Sequence, residues 1–229
     1  MANTEPTVKA ASLEVPGLGR YSVDAVAKAY RTKYKRSWSR RLTDRLEKRA
    51  LRRALRLAQP KGPILDLPCG AGRFAPVLEA FSSQLTFADG SAAMVETARA
   101  AMVPVNGVTR SFVHTPVFAT PFADQAFDVV VCWRLMHHLA EASDRVRAFR
   151  ELRRISKSRL IATFSSRSTI KYKLRGIQNR ARHSTQSIVD IETIAADAKA
   201  GGWILERADP IFSLSSLVTV ALFRPDQSS

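Results

Sequence analysis

From Pro63 onward, short apolar runs alternate with stretches in which apolar residues recur every three or four positions. Runs at Ile64–Leu67, Leu85–Ala88, Ser111–Val113, Phe127–Cys132 and Arg159–Phe164 predict five strands. The third is weak, and the fourth is the strongest because Val129, Val130 and Val131 stand at its centre. Helical periods predict helices over Phe74–Phe81, Ser91–Ala101 with Ser91 as N-cap, Asp144–Ile155, and Ile188–Ala200, the last stopped by Gly201 and Gly202. Trp203–Ala208 and Leu217–Phe223 follow as strands with no helix between them, a C-terminal β-hairpin. Strand and helix in alternation predict an α/β, doubly wound, mostly parallel sheet with helices on both faces.

The chain upstream of Pro60 is different. Arg20–Gln59 contains no Gly or Pro, and as one helix it would span ~60 Å. That is too long for the domain, so two N-terminal helices are expected, with a break near Tyr34–Ser37. Val23, Val26, Ala27, Tyr30 and Tyr34 share a face of the first. Trp38, Leu42 and Leu46, then Leu51, Ala54, Leu55 and Ala58, mark the second. The reading is a flexible tail over 1–19, a basic helical segment over 20–61, and a core over 62–229. With 229 residues, this is one sizeable domain.

Charge changes the picture. The chain carries 36 Lys and Arg against 20 Asp and Glu, a net of +16. Residues 20–61 hold 15 basic and 3 acidic side chains, and residues 153–182 hold 10 basic and none acidic, so the remainder is mildly acidic. Segregated charge of this kind marks either two solvated arginine-rich faces or a rim for an anionic partner, RNA or a membrane surface. No apolar run approaches the ~20 residues of a membrane span. Residues 1–19 lack the basic start and apolar core of a signal peptide. Cys69 and Cys132 form no CxxC pair or Cys/His metal spacing, so no metal site is expected. A reducing, cytoplasmic setting follows, peripheral at the inner face of a membrane if the basic blocks meet lipid.

Chemistry concentrates after the first strand, in Asp66-Leu67-Pro68-Cys69-Gly70-Ala71-Gly72-Arg73-Phe74. A carboxylate at a strand end is followed by small residues that let a ligand approach the backbone, and then by a helix N-terminus. Asp89 ends the second strand seventeen residues past Gly72, where an acid reaches the two hydroxyls of a ribose. A tight turn needing glycine would explain the loop alone, whereas Asp89 in register favours a nucleoside cofactor. Gly70–Ala75 also satisfies G-x-G-x-x-A, so a nicotinamide dinucleotide competes on this motif.

The downstream motifs separate the two. Ile64–Phe74, Phe87-Ala88-Asp89-Gly90-Ser91-Ala92-Ala93-Met94, Thr120–Val131, His137-His138-Leu139 and Arg150–Ile155, taken in this order, resemble the class I S-adenosylmethionine-dependent methyltransferases. The likeness is to the small single-domain members, covers about residues 60–225, and implies a seven-stranded Rossmann-like core. It implies that Asp66 and the backbone of Pro68, Cys69, Gly70 and Gly72 hold the methionine end of the cofactor, and Asp89 the ribose. Met94 and Phe118 or Ala119 would line the adenine, and Trp133 and Arg134 would stand beside the sulfur. Pro68 replaces the family's usual first glycine. Pro116 stands about where an acid usually takes the adenine amino group, with His114 or Thr115 as substitutes. A sulfonium is cationic, which suits Asp66 and the acidic core.

Methyl transfer asks mainly for alignment and exclusion of water. His137 and His138 follow the fourth strand as candidates for a base or acceptor clamp, with packing of the helix start as the plainer role. His183, beyond the second basic block, reads as a solvated loop residue. Cys69 and Cys132 lack the proline–cysteine catalytic arrangement of cytosine methylases and read as structural. The expected activity is methylation of a lipid-linked or small amphipathic acceptor. Methylation of tRNA or other RNA is the alternative, and a non-catalytic basic binding protein on the same fold is the third reading. Arg40, Arg41, Arg45, Arg49, Arg52 and Arg53 are expected to face the anionic partner.

Overall fold

The computed structural model describes residues 38–166, 188–211 and 218–227. Its elements are α1 (Trp38–Ala58), β1 (Ile64–Asp66), α2 (Ala75–Leu78), β2 (Gln84–Asp89), α3 (Ala92–Ala101), β3 (Thr109–His114) and β4 (Phe127–Cys132). After a 3₁₀ turn at Met136–His138 come α4 (Ala142–Ile155), β5 (Ser156–Ser166), β6 (Ile188–Val189), α5 (Ile191–Ala200), β7 (Trp203–Pro210) and β8 (Val218–Pro225). Seven strands run in the order β3-β2-β1-β4-β5-β8-β7, and the two-residue β6 pairs beside β5. β1 to β5 are mutually parallel, while β8 is antiparallel to both β5 and β7. The fold is therefore the expected Rossmann-like sheet with a C-terminal hairpin.

Period-two alternation explains why both faces are covered. Ile64, Val129, Val131 and Ile161 point to one side, where they pack with Leu51 and Leu55 of α1 and with Phe74, Val77 and Leu78. Leu65, Val130, Cys132, Leu160, Ala162 and Phe164 point to the other, against Phe149 and Leu152 of α4 and against Trp203. A strand apolar at every position has no solvent face to show, which is why it sits at the sheet centre. β1 lies between β2 and β4 with Asp66 level with Phe87 and Val131. The strands' C-terminal ends thus gather the loops that carry Asp66, Asp89 and Trp133 at one edge, where parallel sheets bind ligands.

Several boundaries differ from the sequence reading. The helix expected over Phe74–Phe81 is a single turn, Ala75–Leu78. The helix expected from Ile188 begins at Ile191, because Ile188 and Val189 pair with Ser165 and Ser166 as β6. Ser91 caps α3 as expected, its hydroxyl accepting from the Met94 amide at 3.3 Å. The expected helix before Tyr34, the break near Tyr34–Ser37 and His183 lie outside the described residues. Among those described, no helix is long and apolar enough to cross a membrane.

On the face away from α1, α4 and α5 are tied by a buried ion pair, Arg145 Nε to Asp197 Oδ2 at 2.7 Å, with Arg145 also donating to the carbonyls of Leu139 and Ala140. At the end of α5, a Cβ on Gly201 would stand 2.4 Å from Phe149 Cβ, so only glycine lets the two helices approach. Removing one partner of a buried pair leaves an uncompensated charge. Asp197→Ala is expected to cost about 3 kcal/mol in chemical denaturation, the low end of the range for such breaks because Arg145 keeps its carbonyl acceptors.

Candidate functional site

Asp66, the last residue of β1, is fully buried, and neither carboxylate oxygen has a hydrogen-bond partner. Burial pushes its pKa well above the usual carboxylate range, the charge of Asp89 adds to this, and Arg73 opposes it. Trp133 Nε1 and His137 Nδ1 are likewise buried without partners. Buried polar atoms are nearly always satisfied in native proteins, so these four at and beyond the ends of β1 and β4 mark a place built for a polar ligand.

Asp89 does a job the sequence reading did not give it. Its Oδ2 accepts from the Gly70 amide at 2.8 Å and its Oδ1 from the Ser91 amide at 2.9 Å. The carboxylate thereby pins the glycine loop to the end of β2, and each oxygen retains a lone pair for a further donor. Burial raises its pKa, with the two amides opposing. Gly70 and Gly72 both have positive φ, 53° and 72°. A Cβ on Gly72 would meet Met102 Cε at 2.2 Å and Ala98 Cβ at 3.3 Å. The glycine is therefore required by backbone geometry and contact with α3. A valine there would strain and displace the loop.

The strongest polar cluster at the site went unread in the sequence. Glu47 of α1, 1% exposed, accepts from Arg73 Nη2 at 2.5 Å on one oxygen and from Arg134 Nη2 on the other. Arg73 also donates to Asp44 at 2.9 Å, and its guanidinium lies 4.2 Å from the centroid of the Phe74 ring. Phe74 in turn packs on Trp133 with centroids 4.9 Å apart. Arg134 holds a left-handed φ of 63°, stabilised by its amide donating to Thr163 Oγ1 at 2.7 Å. α1 is thus bonded to the loops after both β1 and β4. The signal was present: Asp44 and Glu47 are two of only three acids in the basic segment. They lie three residues apart on the face continued by Leu51, Ala54 and Leu55.

Residues 64–159 match the family model described as "Methyltransferase domain". Those residues thus match a methyltransferase domain, and the fold is that of the class I, S-adenosylmethionine-dependent methyltransferases. Magnesium protoporphyrin IX methyltransferase from Synechocystis PCC 6803, solved with bound S-adenosylmethionine, is 13% identical over 95% of this chain and 100% of its own, with a TM-score of 0.69. An S-adenosylmethionine-dependent methyltransferase from Clostridium acetobutylicum ATCC 824 is 14% identical over 79% of this chain and 91% of its own, TM-score 0.61. The PH0226 protein from Pyrococcus horikoshii OT3 is 19% identical over 83% and 92%, TM-score 0.65. No curated protein gives a significant match.

The residues present fit the cofactor of this methyltransferase. The orphaned Asp66 carboxyl suits the ammonium of the methionine moiety, and Asp89 keeps acceptor capacity for ribose hydroxyls. The backbone from Pro68 to Gly72 turns between them, Cys69 held by its amide donating to the Ala88 carbonyl at 2.8 Å. Met94 is buried at the start of α3. Phe118 is buried in the core on the α4 side, with the Arg147 guanidinium 4.6 Å from its ring centroid, while Ala119 is exposed. Thr115 is buried, its hydroxyl 3.3 Å from the Pro116 carbonyl, and His114 Nε2 lies 3.1 Å from the Gly90 carbonyl at the rim. Both cysteines are free and buried, and burial pushes both thiols up, which leaves them unreactive.

His137 and His138 stack with centroids 4.3 Å apart. Burial, then His138 and Arg134, lower the His137 pKa to about 3. It is neutral at physiological pH and a poor proton acceptor there. Its place at the site is that of a hydrogen-bonding group.

Two outcomes follow for the methyltransferase. A folded-state pKa above the unfolded one means that the native chain holds a proton which the unfolded chain releases. Stability then falls as pH climbs from the ordinary carboxylate range toward the raised pKa of Asp66. Asp66→Asn is expected to flatten that fall and raise Tm at pH 8 in differential scanning fluorimetry, while abolishing the Tm gain given by S-adenosylhomocysteine. A lower Tm at pH 8 would mean that the carboxylate is ionised and compensated without cofactor. Asp89→Ala is expected to weaken S-adenosylhomocysteine binding by roughly 1–3 kcal/mol in calorimetry, because a buried acceptor of the loop amide is lost. NAD is expected not to bind.

Proposed function

We propose that this methyltransferase acts on a lipid-linked or small amphipathic acceptor presented at an anionic surface. The observation that carries the proposal is α1. Arg40, Arg41, Arg45, Arg49, Arg52 and Arg53 are all exposed on it. Trp38 and Leu42 are interleaved with them at 78% and 43% exposure, unusual for large apolar side chains. Cations beside exposed aromatic and aliphatic groups on one helix are the pattern of a helix lying in the headgroup region of a membrane. One structural relative is named for a magnesium porphyrin acceptor, which agrees in class. The second basic block contributes less. Arg153, Arg154 and Arg159 are engaged with the Ser156 carbonyl, with Glu151 and Asp124, and with Glu206, at the N-terminal end of β5 away from the cofactor loops. The rest of that block lies outside the described residues.

Bound S-adenosylmethionine supplies an already activated methyl group. The chain's own residues orient and shield. Asp66 and Asp89 supply carboxyl acceptors, Phe74 and Trp133 wall off water, and the neutral His137 offers a hydrogen bond.

Labelled S-adenosylmethionine incubated with separated lipid, small-molecule and RNA extracts is expected to label the lipid or small-molecule fraction. Label entering RNA alone would overturn the reading in favour of an RNA methyltransferase. In parallel, the protein is expected to co-sediment with anionic but not neutral liposomes. That attraction amounts to about 1 kcal/mol per basic residue and fades as salt rises. Replacing the six arginines by Gln is expected to abolish co-sedimentation and spare S-adenosylhomocysteine binding.

A further inference from the structure

A concavity lies away from the cofactor loops, between α1 and the β7–β8 hairpin. It has a volume of about 230 Å³, with Leu46 and Leu57 on the helix side and Val220 and Leu222 on the sheet side. Val220 and Leu222 are each 7% exposed, whereas Leu57 is 46% exposed. Arg49 and Arg53, one helical turn apart, line the same groove. Both are exposed, and among the described residues neither has a hydrogen-bond or ion-pair partner. The groove's one acid, Asp209, is already neutralised by Arg207. An apolar trough edged by two uncompensated guanidiniums presents a hydrocarbon surface beside a forked anion site.

We propose that this groove binds one anionic single-chain amphiphile of the fatty-carboxylate class, its chain along Leu46, Leu57, Val220 and Leu222 and its head between Arg49 and Arg53. The site is distinct from the cofactor site. Glu47 is two residues from Arg49 and leaves the helix on nearly the opposite side, toward Arg73 and Arg134. The assignment stands whether or not the methyl acceptor is lipid-linked.

The test uses the full chain and a fluorescent probe, 11-(dansylamino)undecanoate, below its micellar concentration. Binding is expected to saturate at one probe per chain and to be displaced by dodecanoate. Dodecanol, with the same chain and no charge, is expected to compete at least about tenfold more weakly. The double variant Arg49→Gln/Arg53→Gln is expected to lose at least about tenfold in probe affinity, since both charge-assisted contacts to the head go. Leu57→Glu, which puts a like charge in the trough, is expected to abolish binding. An unchanged S-adenosylhomocysteine isotherm for each variant shows that it is folded. Absence of saturable binding to the wild type, equal competition by dodecanol, or a double variant within twofold of the wild type would each overturn the proposal. Liposome binding with no saturable probe binding would leave the anionic-surface reading in place and remove this one.

Discussion

A carboxyl group fully buried at the end of a central strand, with no donor to satisfy it, is the constraint around which the cofactor end is arranged. Asp66 cannot ionise cheaply there, and Asp89 on the next strand makes it harder. The Arg73 guanidinium opposes this shift without abolishing it, and neither Arg73 nor Arg134 is free. Glu47 sits between them and takes a hydrogen bond from each, with Asp44 sharing Arg73. The cations are thus engaged by α1, and the Asp66 and Asp89 carboxyls are left to meet a cationic ligand inside a chain whose net charge is +16. For a cofactor whose reactive sulfur and methionine amine are both positive, this local field matters more than the global one.

The same ion pairs explain how a helix outside the methyltransferase match serves it. α1 covers the sheet face formed by Val129, Val131 and Ile161 through Leu51 and Leu55. Packing places it there, but packing alone would tolerate rotation or sliding. The bonds from Glu47 fix its register against the loops following β1 and β4. Arg134, held at a positive φ by Thr163 and Glu47, occupies a conformation that costs a non-glycine residue energy.

Much of this was legible in the sequence where burial is two-sided or chemistry is local. β4 was read with its observed limits, Phe127–Cys132, because a strand covered on both faces is apolar at nearly every position, Asp128 near its start being the exception. β3 was read as only three residues of six, because Thr109, Arg110 and His114 on this edge strand look like loop. β6 was read as the start of a helix, since two residues pairing with Ser165 and Ser166 leave no period to detect. At the site, the glycine loop and Asp89 are sequence-local and were found. Glu47 was missed because its partners are 26 and 87 residues away. Pairing at such distance leaves no trace in spacing, and an acid within an arginine run reads as surface.

The unsatisfied Asp66 also has a consequence outside catalysis. A native state carrying a desolvated, partnerless group forfeits stability until something binds it, and whatever binds only the native state shifts the folding equilibrium by mass action. In a cell, unfolded chains are continually removed by proteases, so small shifts in that equilibrium change abundance several-fold. A native state that leaves Asp66 unsatisfied is therefore less durable alone than with a ligand that satisfies it.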